Sequence, residues 1–138
     1  MAEIKQTKHP AVEIYTDASK DKNNVAVAAV SNHDVFSVRL PDEVAIFTAE
    51  AKAIQLAFEL IKISEYTYFT IFSASLSCLQ SIHNMNIDHP YILDILCNYF
   101  HASRQGKIVN FFWISSHIGI HGNSTADRAA ESALHFEL

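Results

Sequence analysis

Three acidic side chains stand where ordinary solvation does not account for them: Asp17, Glu50 and Asp127. Asp17 falls just past the end of a candidate strand over residues 11–16; taken alone, Asp-Ala-Ser there reads as a simple Asx turn. Glu50 opens a helical stripe that continues through Ile54, Ala57 and Ile61, the side that should press on a sheet. The helix dipole favours an acid in a first turn but does not choose its face. Asp127 repeats the pattern, with Ala130 and Leu134 following it on one side. One acid at a strand end and two at helix starts all aim at one sheet edge. Carboxylates that close repel and shift toward the protonated form unless a cation lies between them. An all-oxygen donor set of that kind suits Mg²⁺, which keeps several of its waters.

The elements that must position these acids follow from periodicity. Residues 11–16, 25–30 and 35–40 alternate or run apolar with β-branched content, separated by polar turns at 20–24 and 32–34. This predicts an antiparallel meander. After Pro41, Thr48 is the expected N-cap of a helix over 49–63. A fourth strand is expected at 67–73, a short helix at 75–83, a loop at 84–90 and a helix at 91–104 stopped by Gly106. A fifth, apolar strand follows at 108–114, then a loop at 115–123 with two Gly and two His, and a last helix capped by Ser124. The order βββ-α-β-α-α-β-α predicts an α/β fold: a five-stranded mixed sheet, three strands antiparallel and two parallel, flanked by helices. Sites in such sheets form beyond the carboxyl ends of the strands.

Composition narrows the class. The chain has 138 residues, 49% hydrophobic and 18% charged, which fits a single globular domain over 11–138 behind a polar tail at 1–10 and excludes wholesale disorder. No apolar run approaches the roughly 18 residues of a membrane helix, so no membrane partner is expected. The opening MAEIKQTKHP does not read as a secretory signal. Cys78 and Cys97 read as two buried free thiols, and the location expected is intracellular, in the cytoplasm or nucleus. Lys plus Arg total 10 against 15 Asp plus Glu, a formal charge of −5, and no basic run marks a nucleic-acid surface. A carboxylate cluster subtracts charge until its cations bind.

Four segments in order resemble the ribonuclease H family: Tyr15-Thr16-Asp17-Ala18-Ser19, Thr48-Ala49-Glu50, Phe72-Ser73-Ala74-Ser75, and the run from Trp113 to Asp127, WISSHIGIHGNSTAD. The last run most resembles the ribonuclease H domains of non-LTR retrotransposon polyproteins, where the domain follows a reverse transcriptase. The resemblance implies a nuclease that cuts the RNA strand of an RNA–DNA hybrid with two Mg²⁺ ions, Mn²⁺ being a substitute. It implies that Asp17 bridges the metals, that Glu50 and Asp127 complete their shell, and that Glu50 lies near the RNA 2′-hydroxyl. His117 matches the family's mobile His, linked to proton transfer or product release. His121 lies beyond that position and reads as a solvated loop residue; Trp113 reads as a core or loop anchor rather than a base-stacking platform.

One position departs sharply. The family carries a fourth carboxylate just past the fourth strand, and here that position is Ala74. A methyl group binds no metal, so this chain is expected to be inactive or severely impaired. Deliberate exchange of the acid and natural decay or recruitment both account for it; the intactness of the other motifs favours exchange. The alternative function is a non-catalytic module that keeps the fold for nucleic-acid binding or interaction. An integrase, resolvase or exonuclease of the same fold fits the His117 loop less well. Milder departures are Ala18 where Gly is frequent, Ser124 where Glu is frequent, and a connection at 83–90 too short for a basic handle helix. With −5 overall, hybrid binding by the isolated domain should be weak and steeply salt-dependent, and an adjoining reverse transcriptase domain is the expected remedy.

Overall fold

The computed structural model describes residues 11–21, 24–32, 34–41 and 44–114. Strands β1 (Val12–Asp21), β2 (Asn24–Val30) and β3 (Val35–Leu40) form the antiparallel half of a sheet. Helix α1 (Ile46–Ile63) then leads to β4 (Tyr68–Ser73), which lies parallel to β1. Helices α2 (Leu76–His83) and α3 (Pro90–Arg104) lead to β5 (Ile108–Trp113), parallel to β4. The spatial order is β3-β2-β1-β4-β5, the mixed five-stranded sheet expected from the pattern. The tail at 1–10, the loop at 115–123 and the helix expected from Ser124 lie outside the described residues.

All three described helices pack on one face of the sheet. Ile14, Ala29, Phe69, Ile71 and Val109 from four strands meet Ile54, Phe58 and Ile61 of α1, Cys78 and Ile82 of α2, and Ile92 and Ile95 of α3. On the opposite face Tyr15 stacks on Phe72 at 4.6 Å, and Phe72 lies 5.9 Å from Phe112. Alternation along each strand therefore assigns every side chain a face.

Three expectations change. β1 does not stop before Asp17: pairing with β2 carries it on through Asp21, and Asp17 sits opposite Ala28. Helix α1 begins a turn earlier than Thr48, with Ala45 as an N-cap that makes no side-chain bond. Phe47, packed against the core and 5.0 Å from the His89 ring, gives that earlier turn an apolar anchor that Thr48 capping would forfeit. Cys78 is buried as expected, but Cys97 is exposed, because it shares the outer side of α3 with Leu93 and Phe100.

The end of α3 shows why Gly106 stops it. Gly106 takes φ +82°, its N–H donates to Ser103 O, and the N–H of Lys107 donates to Ala102 O, a Schellman closure. The turn throws the Lys107 side chain across to α1, where Nζ donates to Ile61 O at 2.7 Å and Ser64 O at 3.1 Å. A cation at the carbonyls of a helix C-terminus is favourable in both charge and hydrogen bonding.

Ile54 is fully buried one turn after Glu50 and ties α1 to the sheet. Ile54→Ala should lower the unfolding free energy by about 2–4 kcal/mol. Urea denaturation measures this, and a loss below about 1 kcal/mol would show that α1 is not held by this contact.

Candidate active site

The site begins with a mismatch of strand lengths. β1 pairs with β4 only from Val12 to Thr16, and the last pair is Thr16 with Ser73. From Asp17 onward β1 keeps β2 on one side and has no ladder partner in β4 on the other. Thr16 closes the paired region: fully buried, its Oγ1 donates to Phe72 O at 2.9 Å. Asp17 is thus the first residue at the gap, half-buried, on the Tyr15 side of the strand by alternation. Ala74 is the first residue of β4's exit, one step past Ser73.

The backbone around Ala74 is tied down on every side. Ser73 O accepts from the Ile114 N–H at 3.0 Å, and the Ser75 N–H donates to Ser73 Oγ at 3.1 Å. Ser75 caps α2 by accepting from the Cys78 N–H at 3.3 Å. The indole Nε1 of Trp113, at the end of β5, donates to Ala74 O at 3.3 Å.

Glu50 comes to the gap from the helix face. Ala49 and Ala53 of α1 pack with Val25, Val27 and Leu40, and Ala18 of β1 joins the same cluster. These small side chains bring the start of α1 down beside the residue that follows Asp17. The first turn of α2 closes the other flank, since Cys78 Sγ donates to Phe47 O at 3.4 Å. Ala18 itself needs no glycine-like backbone: Met85 is the one non-glycine residue with positive φ among the described residues.

Glu50 pays for this location in desolvation. Its Oε1 is buried and has no hydrogen-bond partner among the described residues. Burial pushes its carboxyl up from 4.5 to about 7. Because α1 starts at Ile46, no acid lies in its first turn, so the dipole does not explain Glu50 either. Burial also pushes the Cys78 thiol up; a side-chain hydrogen bond with Ser75 pulls it down, and the Glu50 charge pushes it up again, which places the carboxylate next to α2.

The structure therefore places Asp17 and Ala74 just past the end of the β1–β4 pair, Asp17 on the Tyr15 face by alternation, while α1 carries Glu50 on the helix face, where Ala49 and Ala53 pack with Ala18. Asp127 and His117 lie outside the described residues. Among the described residues no three His, Cys, Asp or Glu side chains are close enough together to hold a metal. A buried carboxylate oxygen without a partner among the described residues is a group that a hard divalent ion would satisfy. Sequence reasoning missed two supports of the site, the Cys78–Phe47 lock under Glu50 and the Trp113 bond to Ala74. Both cross between segments more than 30 residues apart, and nothing in local spacing signals them.

A mixed five-stranded sheet in the order β3-β2-β1-β4-β5, flanked by helices, defines an α/β protein of ribonuclease H-like architecture. The family model described as RNase H matches residues 9–135, and the chain belongs to that family. The fold is similar to that of RNase H1 from the halophilic archaeon Halobacterium salinarum NRC-1, with a TM-score of 0.67, 15% identity, and 91% of this chain and 98% of that one covered. It is equally similar to part of a foamy viral protease-reverse transcriptase solved with RNA/DNA hybrid, at TM-score 0.67 and 15% identity, covering 91% of this chain and 20% of that one. LC11-RNase H1, also solved with RNA/DNA hybrid, matches at TM-score 0.63 and 16% identity over 89% and 96% of the two chains. No curated protein matches. Among the described residues no helix is long and apolar enough to cross a membrane.

The raised Glu50 value carries a signed consequence for the metal-free protein. A carboxyl whose folded value of about 7 exceeds its unfolded 4.5 favours folding below the lower value. That contribution is lost as pH rises through the higher one. With chelator present, stability relative to Glu50→Gln should fall between pH 4.5 and 7, leaving the variant more stable at pH 8 by up to about 3 kcal/mol. Denaturation of both proteins at pH 5 and pH 8 measures it; parallel pH dependence would mean that Glu50 is solvated.

Proposed function

We propose that this domain is a ribonuclease H-type endonuclease that hydrolyses the RNA strand of RNA–DNA hybrids by two-metal-ion catalysis, and that Ala74 silences it in this chain. The observation that carries the reading is the buried Glu50 oxygen, unpartnered among the described residues, on the helix that packs against β1, whose pairing with β4 ends just before Asp17 and Ala74. Two of the proteins that share the fold were solved with RNA/DNA hybrid, which supports the substrate class.

Asp17 and Glu50 would hold the cations on one side of the gap, and Asp127 would complete their shell from the chain beyond β5. When bound, a Mg²⁺ pair activates the attacking water and neutralises charge on the leaving oxygen. Asp17 fixes the site to the rigid end of the paired region. Glu50 brings its charge from the helix side and lies toward the RNA 2′-hydroxyl. His117 would move a proton or assist product release. With Ala74 in place of an acid, one anionic ligand would be missing and the cations would be held less tightly.

The RNase H domains of non-LTR retrotransposon polyproteins remain the proposed origin, resting on the run from Trp113 to Asp127. The fold's occurrence within a protease-reverse transcriptase chain is in keeping with an adjoining reverse transcriptase domain. Such a neighbour would supply the hybrid affinity that a domain of formal charge −5 lacks. The proposed setting is intracellular. A second reading, a non-catalytic module, is favoured by Ala74 alone.

Ala74→Asp should raise Mg²⁺-dependent cleavage of the RNA strand of a hybrid at least about 100-fold over the present chain. Duplex DNA should be spared, and both chelator and a further Asp17→Asn change should abolish the gain. A restored protein that binds hybrid without cutting it would sink the nuclease reading in favour of the binding module.

A further inference from the structure

We propose that Trp113 is a positioning residue for position 74: its indole N–H holds the peptide that orients whatever side chain stands there. The inference rests on the two-metal reading, and it concerns a residue that the proposed chemistry leaves without a role.

Trp113 is the last residue of β5, and its ladder partner is Ser73, the last residue of β4. Its ring is half-exposed at 50%, so burial is not what places it. What it does make is a directed contact across the strand ends, Nε1 to Ala74 O at 3.3 Å. The neighbouring backbone is already secured: Ser73 O receives the Ile114 N–H, and the Ser75 N–H and the α2 cap fix Ser75. The 74–75 peptide is thus gripped at both ends, its N–H on Ser73 Oγ and its C=O on the indole, and losing the indole frees the carbonyl end. Which rotamers a side chain can adopt depends on its local φ and ψ. Rotating this peptide would therefore change which rotamers a carboxylate at position 74 can use at the strand end.

Proteins place metal-binding carboxylates through such outer contacts, and losing one typically costs about 10–100-fold in metal affinity or activity. A stacking role for the half-exposed ring predicts something different, since Phe would retain most of it. The two roles separate on which property of Trp113 matters, its N–H or its aromatic area.

The test is a double-mutant cycle on the full chain, joining Ala74→Asp with Trp113→Phe and, separately, Trp113→Leu. Mn²⁺ affinity is read by titration calorimetry. With Ala74→Asp present, both Trp113 changes should weaken Mn²⁺ binding about 10-fold. In the present chain, with no ligand at position 74 to misplace, they should change it less than about 2-fold. Cleavage supplies the second readout: kcat of the restored protein should fall about 10-fold or more while KM for hybrid stays within about 2-fold. Thermal unfolding of each variant shows that the fold persists, and if Trp113→Leu fails to fold, Trp113→Phe alone completes the cycle. Additive Mn²⁺ affinities, or a Phe variant that behaves like the parent while Leu raises KM, overturn the inference. If Ala74→Asp cuts no hybrid yet the Mn²⁺ cycle still shows coupling, the proposed function falls and the positioning role stands.

Discussion

An acid that has lost its water without gaining a partner is the constraint from which the rest of this molecule follows. A buried carboxylate oxygen with no hydrogen bond costs free energy, and the protein concedes that cost at Glu50 while satisfying the backbone around it. Such a group is tolerated when the fold gains elsewhere, and the compensation is visible. Below Glu50, Ile54, Ala57, Phe58 and Ile61 press α1 into the largest apolar cluster. The strain is small beside the burial of that face, so the helix stays seated and the carboxylate is held where it is.

The location of that acid depends on strands of unequal length. Had β4 continued beside β1 past Thr16, Asp17 would face a neighbouring strand instead of an opening. Ending β4 at Ser73 creates the opening, and small residues let α1 close over it: Ala49 and Ala53 lie on Val25, Val27 and Ala18 with no bulky side chain between. Backbone geometry and side-chain size together build a polar recess at the edge of an otherwise apolar core. Architecture rather than identity is what this chain shares with solved structures only 15–16% identical to it.

Position 74 shows scaffold and chemistry coming apart. Every described support of that turn is in place, including the Ser75 cap and the indole bond, yet the side chain they present is a methyl group. On the proposed reading, removing one carboxylate from a cluster would relieve repulsion in the metal-free state while removing a ligand, so the architecture would outlast the chemistry.

Much of the fold was legible in the residues. Period-2 and period-3.6 patterns located all five strands and the three described helices, and Gly106 marked the end of α3 because turn chemistry is local. The suspicion attached to Glu50 was also local, since it heads an apolar stripe. Local reading failed where tertiary pairing took over. Thr48 looked like a cap, but packing of Phe47 pulled the helix start back to Ile46. Asp17 looked like a strand's end, but pairing with Ala28 extended the strand past it. Cys97 looked buried until the orientation of α3 turned it outward. The sequence by itself determined which elements form and which acids are out of place, because both depend on near neighbours in the chain. Only the tertiary structure decided that β4 stops one residue short of Asp17, that Glu50 is left without a partner, and that Trp113 reaches Ala74. Those outcomes depend on register between distant segments, which no spacing within a segment encodes.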